Sequence, residues 1–162
     1  MTFDLAAHIA GLARVRAAAG VLFRDPDGRV LLAKPTYKPG WEVPGGAAEA
    51  DESPLTAARR EIREELGVAF PVGRLLAVDW VAAAPPWDGG LMFLFDGGTL
   101  DEAALARIVL PADELSSYAL VAPSELAGRL KPRLARRVLA ALEADGPLYL
   151  EDGYAPTPPR SR

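Results

Sequence analysis

GAAEADESPLTAARREIREELGV, residues Gly46 to Val68, is the stretch on which the fold turns. Ser53 can cap a helix that starts at Pro54, a place where the missing proline N–H has no intrahelical partner to lose. Gly67 supplies a left-handed C-terminal cap, so the helix is expected over about 54–66. At about 100° per residue, Leu55, Ala58, Ile62 and Leu66 share one apolar stripe that must face a core. Glu61, Glu64 and Glu65 fall on one flank of that stripe, and Arg59, Arg60 and Arg63 are read on the other. Glu61–Glu65 and Arg59–Arg63 are like-charge pairs four residues apart, each costing ~0.2–0.5 kcal/mol on an exposed helix.

A solvated helix face with a poor charge pattern explains such a run when the helix is taken alone. A divalent cation reverses the sign of the argument. Three carboxylates at the edge of a buried stripe supply hard oxygen ligands for Mg²⁺, which keeps open positions for water and substrate phosphates. Seven of the chain's 22 acidic residues lie between Glu42 and Glu65, a concentration that the same explanation covers.

The spacing around the helix carries the decision. From Gly46 the chain runs five residues to Glu52 and seven more to Arg60-Glu61-Ile62. Glu64-Glu65 follows after one residue and Gly67-Val68 after one more, which reproduces all nine specified positions of the Nudix box. The chain therefore resembles a Nudix hydrolase. The resemblance implies an α/β fold, an α/β/α sandwich with a mixed β-sheet, and a Mg²⁺-dependent hydrolase, with Mn²⁺ as the alternative ion. Its substrate would be a nucleoside diphosphate linked to another moiety: a nucleoside triphosphate or a nucleotide sugar.

The same resemblance implies roles for individual residues. Glu61, Glu64 and Glu65 would hold metal, with the Gly45 carbonyl as a further ligand. Arg60 would orient the glutamates and Glu52 would anchor the loop. The general base would be Glu61 or an acid from a later loop, for which Glu114 is the first candidate and Asp113 the second; a solvated loop residue is the plain alternative for Glu114. Asp51 stands where many members carry glycine, so a stiffer loop is expected there with no ligand lost.

Composition narrows the alternatives. The chain has 162 residues, no cysteine, one histidine and a net charge of −4. Disulfides, zinc–thiolate sites and cysteine nucleophiles are thereby removed, and a Ser-His-Asp arrangement would depend on His8 alone. The mild acidity disfavours a stable nucleic-acid partner, and no apolar run approaches the ~20 residues that span a bilayer. A cytoplasmic enzyme is the expectation. A nucleotide-sensing module without turnover is the rival, disfavoured because every box carboxylate is present. A Nudix-fold isomerase is disfavoured by the intact box and the missing cysteine.

One domain is expected over 1–146, beginning with an amphipathic helix at about 3–18, followed by a Pro-rich tail over 147–162. Val21–Phe23 and Val30–Leu32 read as a hairpin around Asp25-Pro26-Asp27-Gly28, and Trp41–Val43 as a short strand ending in a turn at Gly45-Gly46. Thr99 and Glu102 suggest a capping box, and Ser124 the cap of a short helical turn. Tyr37, Lys38 and Trp87 are candidates for substrate contact by stacking and charge, within loops that can select substrate. Lys131, Arg133, Arg136 and Arg137 read as a solvated helix face, with a phosphate contact or an interface with the acidic remainder of a partner subunit as the alternatives. Tyr149 and Tyr154 leave a homodimer open.

Overall fold

The computed structural model describes residues 3–157. Strands β1 (Arg16–Arg24), β2 (Val30–Pro35), β3 (Gly45–Ala47), β4 (Leu75–Val81), β5 (Gly90–Thr99), β6 (Leu115–Val121) and β7 (Leu148–Glu151) form one sheet. Its order is β6-β2-β1-β5-β4-β7, with β3 also paired to β1. The sheet is mixed: β1 runs parallel to β5 and β4 parallel to β7, while the other pairings are antiparallel.

Strand alternation distributes the core between two layers. On β1, Val21 and Phe23 join a cluster with Ala58, Ile62 and Leu66 of helix α2 (Pro54–Leu66). Leu22, one step out of phase, joins Val138 of helix α5 (Pro132–Glu143) and Leu126 of the short helix α4 (Leu126–Arg129). Successive strand residues face opposite sides, so α2 covers one face of the sheet and α4 with α5 the other. This is the expected α/β/α sandwich.

Helix α2 has the bounds its caps foretell. Ser53 Oγ accepts from Thr56 N at 3.2 Å, and Gly67 sits at φ 69°. Asp101, rather than a Thr99–Glu102 box, caps the single turn α3 (Glu102–Leu105), because Thr99 is still in β5. Ser124 lies in a 3₁₀ turn with no side-chain cap.

Three expectations need correction. The first helix is α1 (Leu5–Ala10), capped by Asp4, and it does not reach residue 18. Arg16 to Gly20 instead form the first half of β1, where small side chains leave room for β3 and β5 on either side. Gly20 does not break this element; a Cβ there would meet Val43 at 2.8 Å, so it is a close-packing position inside the strand. Second, Trp41 and Glu42 make only isolated bridges, to Leu130 and Ala33, and the laddered strand is Gly45–Ala47. Gly45 has φ 138°, and a Cβ on it would run into the Ala19 carbonyl, so only glycine allows this approach to β1.

Third, the segment after residue 147 is not a loose tail. Leu148–Glu151 pairs in parallel with β4, with Leu150 fully buried. The sequence signal was masked by Gly146 and Pro147, which mark a turn here and not the end of the fold. Of the tail's prolines, Pro158 and Pro159 lie outside the described residues.

Candidate active site

Helix α2 and strand β3 bring the box residues together. Ala57, Ala58, Ile62 and Leu66 are buried, which turns the Glu61 and Glu65 side chains toward the glycine strand. Arg60 belongs with the glutamates and not with Arg59 and Arg63, as the flank assignment had it. Its guanidinium gives Nε and one terminal nitrogen to the two oxygens of Glu52, at 3.1 and 3.0 Å. The other terminal nitrogen reaches Glu61 Oε1 and Glu64 Oε2, both at 2.9 Å. A fifth bond runs to the Ala47 carbonyl at 3.0 Å, so one arginine ties the helix to β3 and to the loop between them. The paired Arg60 guanidinium holds Glu52 below the usual carboxylate pKa, and Glu52 in return raises that of Arg60.

Within that loop, Glu52 also accepts from Glu49 N at 3.0 Å. Asp51 adopts φ 64°, the left-handed region that glycine favours and that aspartate tolerates better than most residues. The departure from the family pattern thus keeps a glycine-like backbone.

Glu65 is the most perturbed carboxylate. Its Oε2 accepts from Gly45 N at 2.7 Å. Burial nevertheless pushes its pKa up to about 7, with Glu61, Glu114 and Glu42 adding repulsion and the Gly45 N–H opposing it. Glu61 is raised as well, first by burial and then by Glu64 and Glu114, against the pull of Arg60. Glu114, at the end of the loop preceding β6, is therefore brought to the cluster although 49 residues separate it from Glu65. The Glu114 carbonyl accepts from Thr36 N at 2.9 Å, which fixes that loop against the end of β2, and Thr36 Oγ1 bonds the Asp113 carbonyl at 2.6 Å.

Glu42, which no motif had singled out as a site residue, is the addition. Lys38 Nζ bonds its Oε2 at 2.7 Å and lies 5.3 Å from the Tyr37 ring centre. Tyr37 itself is 72% exposed. In the sequence Glu42 stands at the start of the acidic concentration and just before the box.

Among the described residues, no three carboxylates already form a metal cage, since Arg60 occupies Glu61 and Glu64 while Glu65 turns to Gly45. The chemistry of the donor set fits a hard cation all the same. Four carboxylates, Glu42, Glu61, Glu65 and Glu114, interact here, and Glu65 is half-buried with one backbone N–H as its bonded partner among the described residues.

Beside the glycine strand, on the α5 face of the sheet, lies an open cavity of about 600 Å³. Gly45, Gly46 and Glu42 form one edge, Met92 and Leu94 of β5 part of its floor, and the start of α5 the far wall. Trp87 does not line it; this side chain is exposed in the β4–β5 loop beneath Arg16, 4.6 Å from the ring centre to the guanidinium carbon. Lys131, Arg133, Arg136 and Arg137 do line it, so the basic stretch is more than a solvated face.

Gly46 faces Glu61 so closely that an added Cβ would collide with the Glu61 carboxylate, the mobile end of a flexible side chain. Gly46→Ala is expected to displace that carboxylate and not the backbone. Activity should fall about a hundredfold, the usual scale for a catalytic group moved by about 1 Å, with an almost unchanged melting temperature. A large loss of stability, with activity per folded molecule retained, would contradict this geometry.

The comparisons with known proteins agree with this site. A "MutT-like protein" of Streptomyces ambofaciens is 30% identical over 136 residues, covering 80% of this chain and 77% of that one. An "RNA pyrophosphohydrolase" of Halorhodospira halophila is 43% identical over 53 residues, 33% of this chain and only 29% of its own length. The solved MutT NUDIX hydrolase from Burkholderia pseudomallei superimposes with a TM-score of 0.61 at 25% identity, over 83% of this chain and 100% of that one. With the NUDIX domain profile matching residues 14–142 as well, the chain belongs to the NUDIX family and is a hydrolase of phosphoric anhydrides.

Proposed function

We propose that this protein is a divalent-metal-dependent pyrophosphohydrolase that cleaves a nucleoside diphosphate linked to another moiety by attack of water on phosphorus. The observation that carries the reading is the cluster around the glycine strand, where Glu61, Glu65 and Glu114 repel one another and, among the described residues, no cationic side chain bonds Glu65. Glu61, Glu64 and Glu65, with the Gly45 carbonyl, would hold Mg²⁺ or Mn²⁺. Such an ion offsets charge on the phosphate oxygens and lowers the pKa of water.

The chain's own groups supply the rest. Glu52 and Arg60 hold the loop against α2, so the glutamates are presented on a fixed scaffold. Glu114, exposed and close enough to feel Glu61 and Glu65, accepts the proton of the attacking water at its carboxylate; Glu61 is the other base available. The water oxygen bonds one phosphorus, the bridging oxygen leaves with the other, and two phosphorylated products separate. Lys38 stands beside Glu42 and can meet a phosphate once that carboxylate turns away.

The test is a panel of nucleoside triphosphates and nucleotide sugars incubated with Mg²⁺ or Mn²⁺. Metal-dependent release of phosphate, pyrophosphate or a nucleoside monophosphate, abolished by chelator, is expected. Tight nucleotide binding with no product under either metal would assign the chain to sensing instead.

A further inference from the structure

Nothing in the hydrolytic scheme uses the far wall of the cavity, and its chemistry is unusual. Among the described residues its lining side chains are either apolar or fully charged, with no hydroxyl, amide or imidazole. The whole chain contains neither asparagine nor glutamine. Side chains that read the edge of a nucleobase do so by offering a donor and an acceptor in a fixed pair, and amides are the usual means. This cavity offers donors from one wall, a single carboxylate already bonded to Lys38, and an apolar floor.

The donors are held in place from behind. Arg137 bonds the buried Asp79 at 2.8 Å, and Arg136 gives two bonds to the Asp152 carbonyl, at 2.8 and 3.3 Å. Arg133 meets the Asp152 carboxylate at 3.2 Å while remaining 40% exposed. Lys131 has no carboxylate within ion-pair distance among the described residues. Arg137 is thus held by Asp79, and Arg136 by the Asp152 carbonyl and the Tyr154 ring 4.1 Å away, whereas Lys131 is exposed and Arg133, though it shares Asp152, keeps enough open surface to turn to a ligand.

We infer that the cavity is a subsite for a phosphorylated moiety of the substrate, its phosphate monoester seated by Lys131 and Arg133, and that it does not recognise a nucleobase by its edge. The inference rests on the hydrolase reading for the position of the scissile diphosphate beside Gly45 and Gly46. The moiety's uncharged body lies over Met92, and Asp152 is a positioning residue that fixes the direction of the Arg133 guanidinium. Charge-assisted bonds from a lysine and an arginine to a dianion are the strong kind, and they give discrimination by charge without a base-reading group.

The experiment compares a nucleotide sugar with the same compound carrying one further phosphate on its sugar. Wild-type kcat/KM should favour the phosphorylated member by about tenfold or more, and the preference should shrink in high salt. Lys131→Ala and Arg133→Ala should each move the ratio toward one, whereas Arg59→Ala, an exposed cation of α2 outside the cavity, should leave it intact. A wild-type ratio near one, or a ratio preserved in both cavity variants, overturns the subsite.

Calorimetry without metal, using glucose 1,6-bisphosphate against glucose 1-phosphate as probes, separates this from the hydrolase reading. Hydrolysis with no preference, and no difference between the probes, removes the subsite and leaves the hydrolase. Tighter binding of the bisphosphate, lost in the two cavity variants, keeps the subsite even if no compound on the panel is cleaved.

Discussion

Glu65→Gln should reduce kcat by about three orders of magnitude and at the same time make the metal-free protein more stable above pH 7. The first effect follows if Glu65 holds the metal, since charge stabilisation at the reacting phosphate is worth several kcal/mol and each ~1.4 kcal/mol is tenfold in rate. The second follows from burial. The folded-state pKa of Glu65 is raised from 4.5 to about 7, so the unfolded chain releases this proton more readily than the folded one. Below pH 4.5 the group is protonated in both states and costs nothing. As pH rises from 4.5 through 7 it opposes folding increasingly, by an amount of order 2–3 kcal/mol above pH 7. Glutamine keeps an oxygen for the Gly45 N–H and carries no charge. In chelator at pH 8 the variant should therefore melt about 5–10 °C higher than wild type, and at pH 4 the two should nearly coincide. Thermal melts at both pH values, alongside turnover with Mg²⁺, check both halves. An equally active variant would remove Glu65 from the metal site, and identical melts at pH 8 would mean that the carboxylate is compensated in some other way.

The parts of the fold that could be read in advance are those whose cause is local. Ser53, Pro54 and Gly67 bound α2 by their own backbone and capping chemistry, and the structure keeps those bounds. The first helix is shorter than its local pattern suggests, because Ala17–Ala19 suit a helix locally while pairing with β3 and β5 decides their conformation. From a helical wheel, which assigns direction by angle alone, the flank of Arg60 is not legible. Its long side chain instead reaches back along the helix to Glu52 and across to Ala47. The candidate site shows the same division. The spacing of Glu61, Glu64 and Glu65 is local and legible. Glu42 and the cavity are not, because strands β1, β3 and β5 and helix α5 meet there from distant parts of the chain. Gly45 and Gly46 read locally as a turn, whereas their place in the fold, letting β3 lie against β1, depends on a partner that no short window contains.

The same limit hid the ion pair that closes the molecule, and disrupting it should give the largest stability loss of any single polar substitution. Asp79 sits in β4 with no exposed surface, and Arg137 of α5 bonds it through two nitrogens at 2.8 Å. The second oxygen of Asp79 accepts from Gly153 N at 3.0 Å, in the tight turn that follows β7. One carboxylate thus joins the sheet, the C-terminal helix and the last strand. Asp79→Asn keeps an acceptor for Gly153 but leaves a guanidinium that is only 11% exposed without its counter-charge. Removing one partner of a buried pair costs about 3–5 kcal/mol, which in a domain of this size lowers the melting temperature by roughly 10 °C. Asp79→Leu combined with Arg137→Leu removes both charges and should recover most of that loss, because the desolvation of each ion disappears with it. Hydrogen exchange should show the amides of 148–153 opening more readily in Asp79→Asn, since the segment then depends on its β4 pairing, the burial of Leu150 and the bonds of Arg133 and Arg136 to Asp152. If the single substitution proves as mild as the double, the pair contributes nothing beyond its packing, and the last strand is held by burial of Leu150.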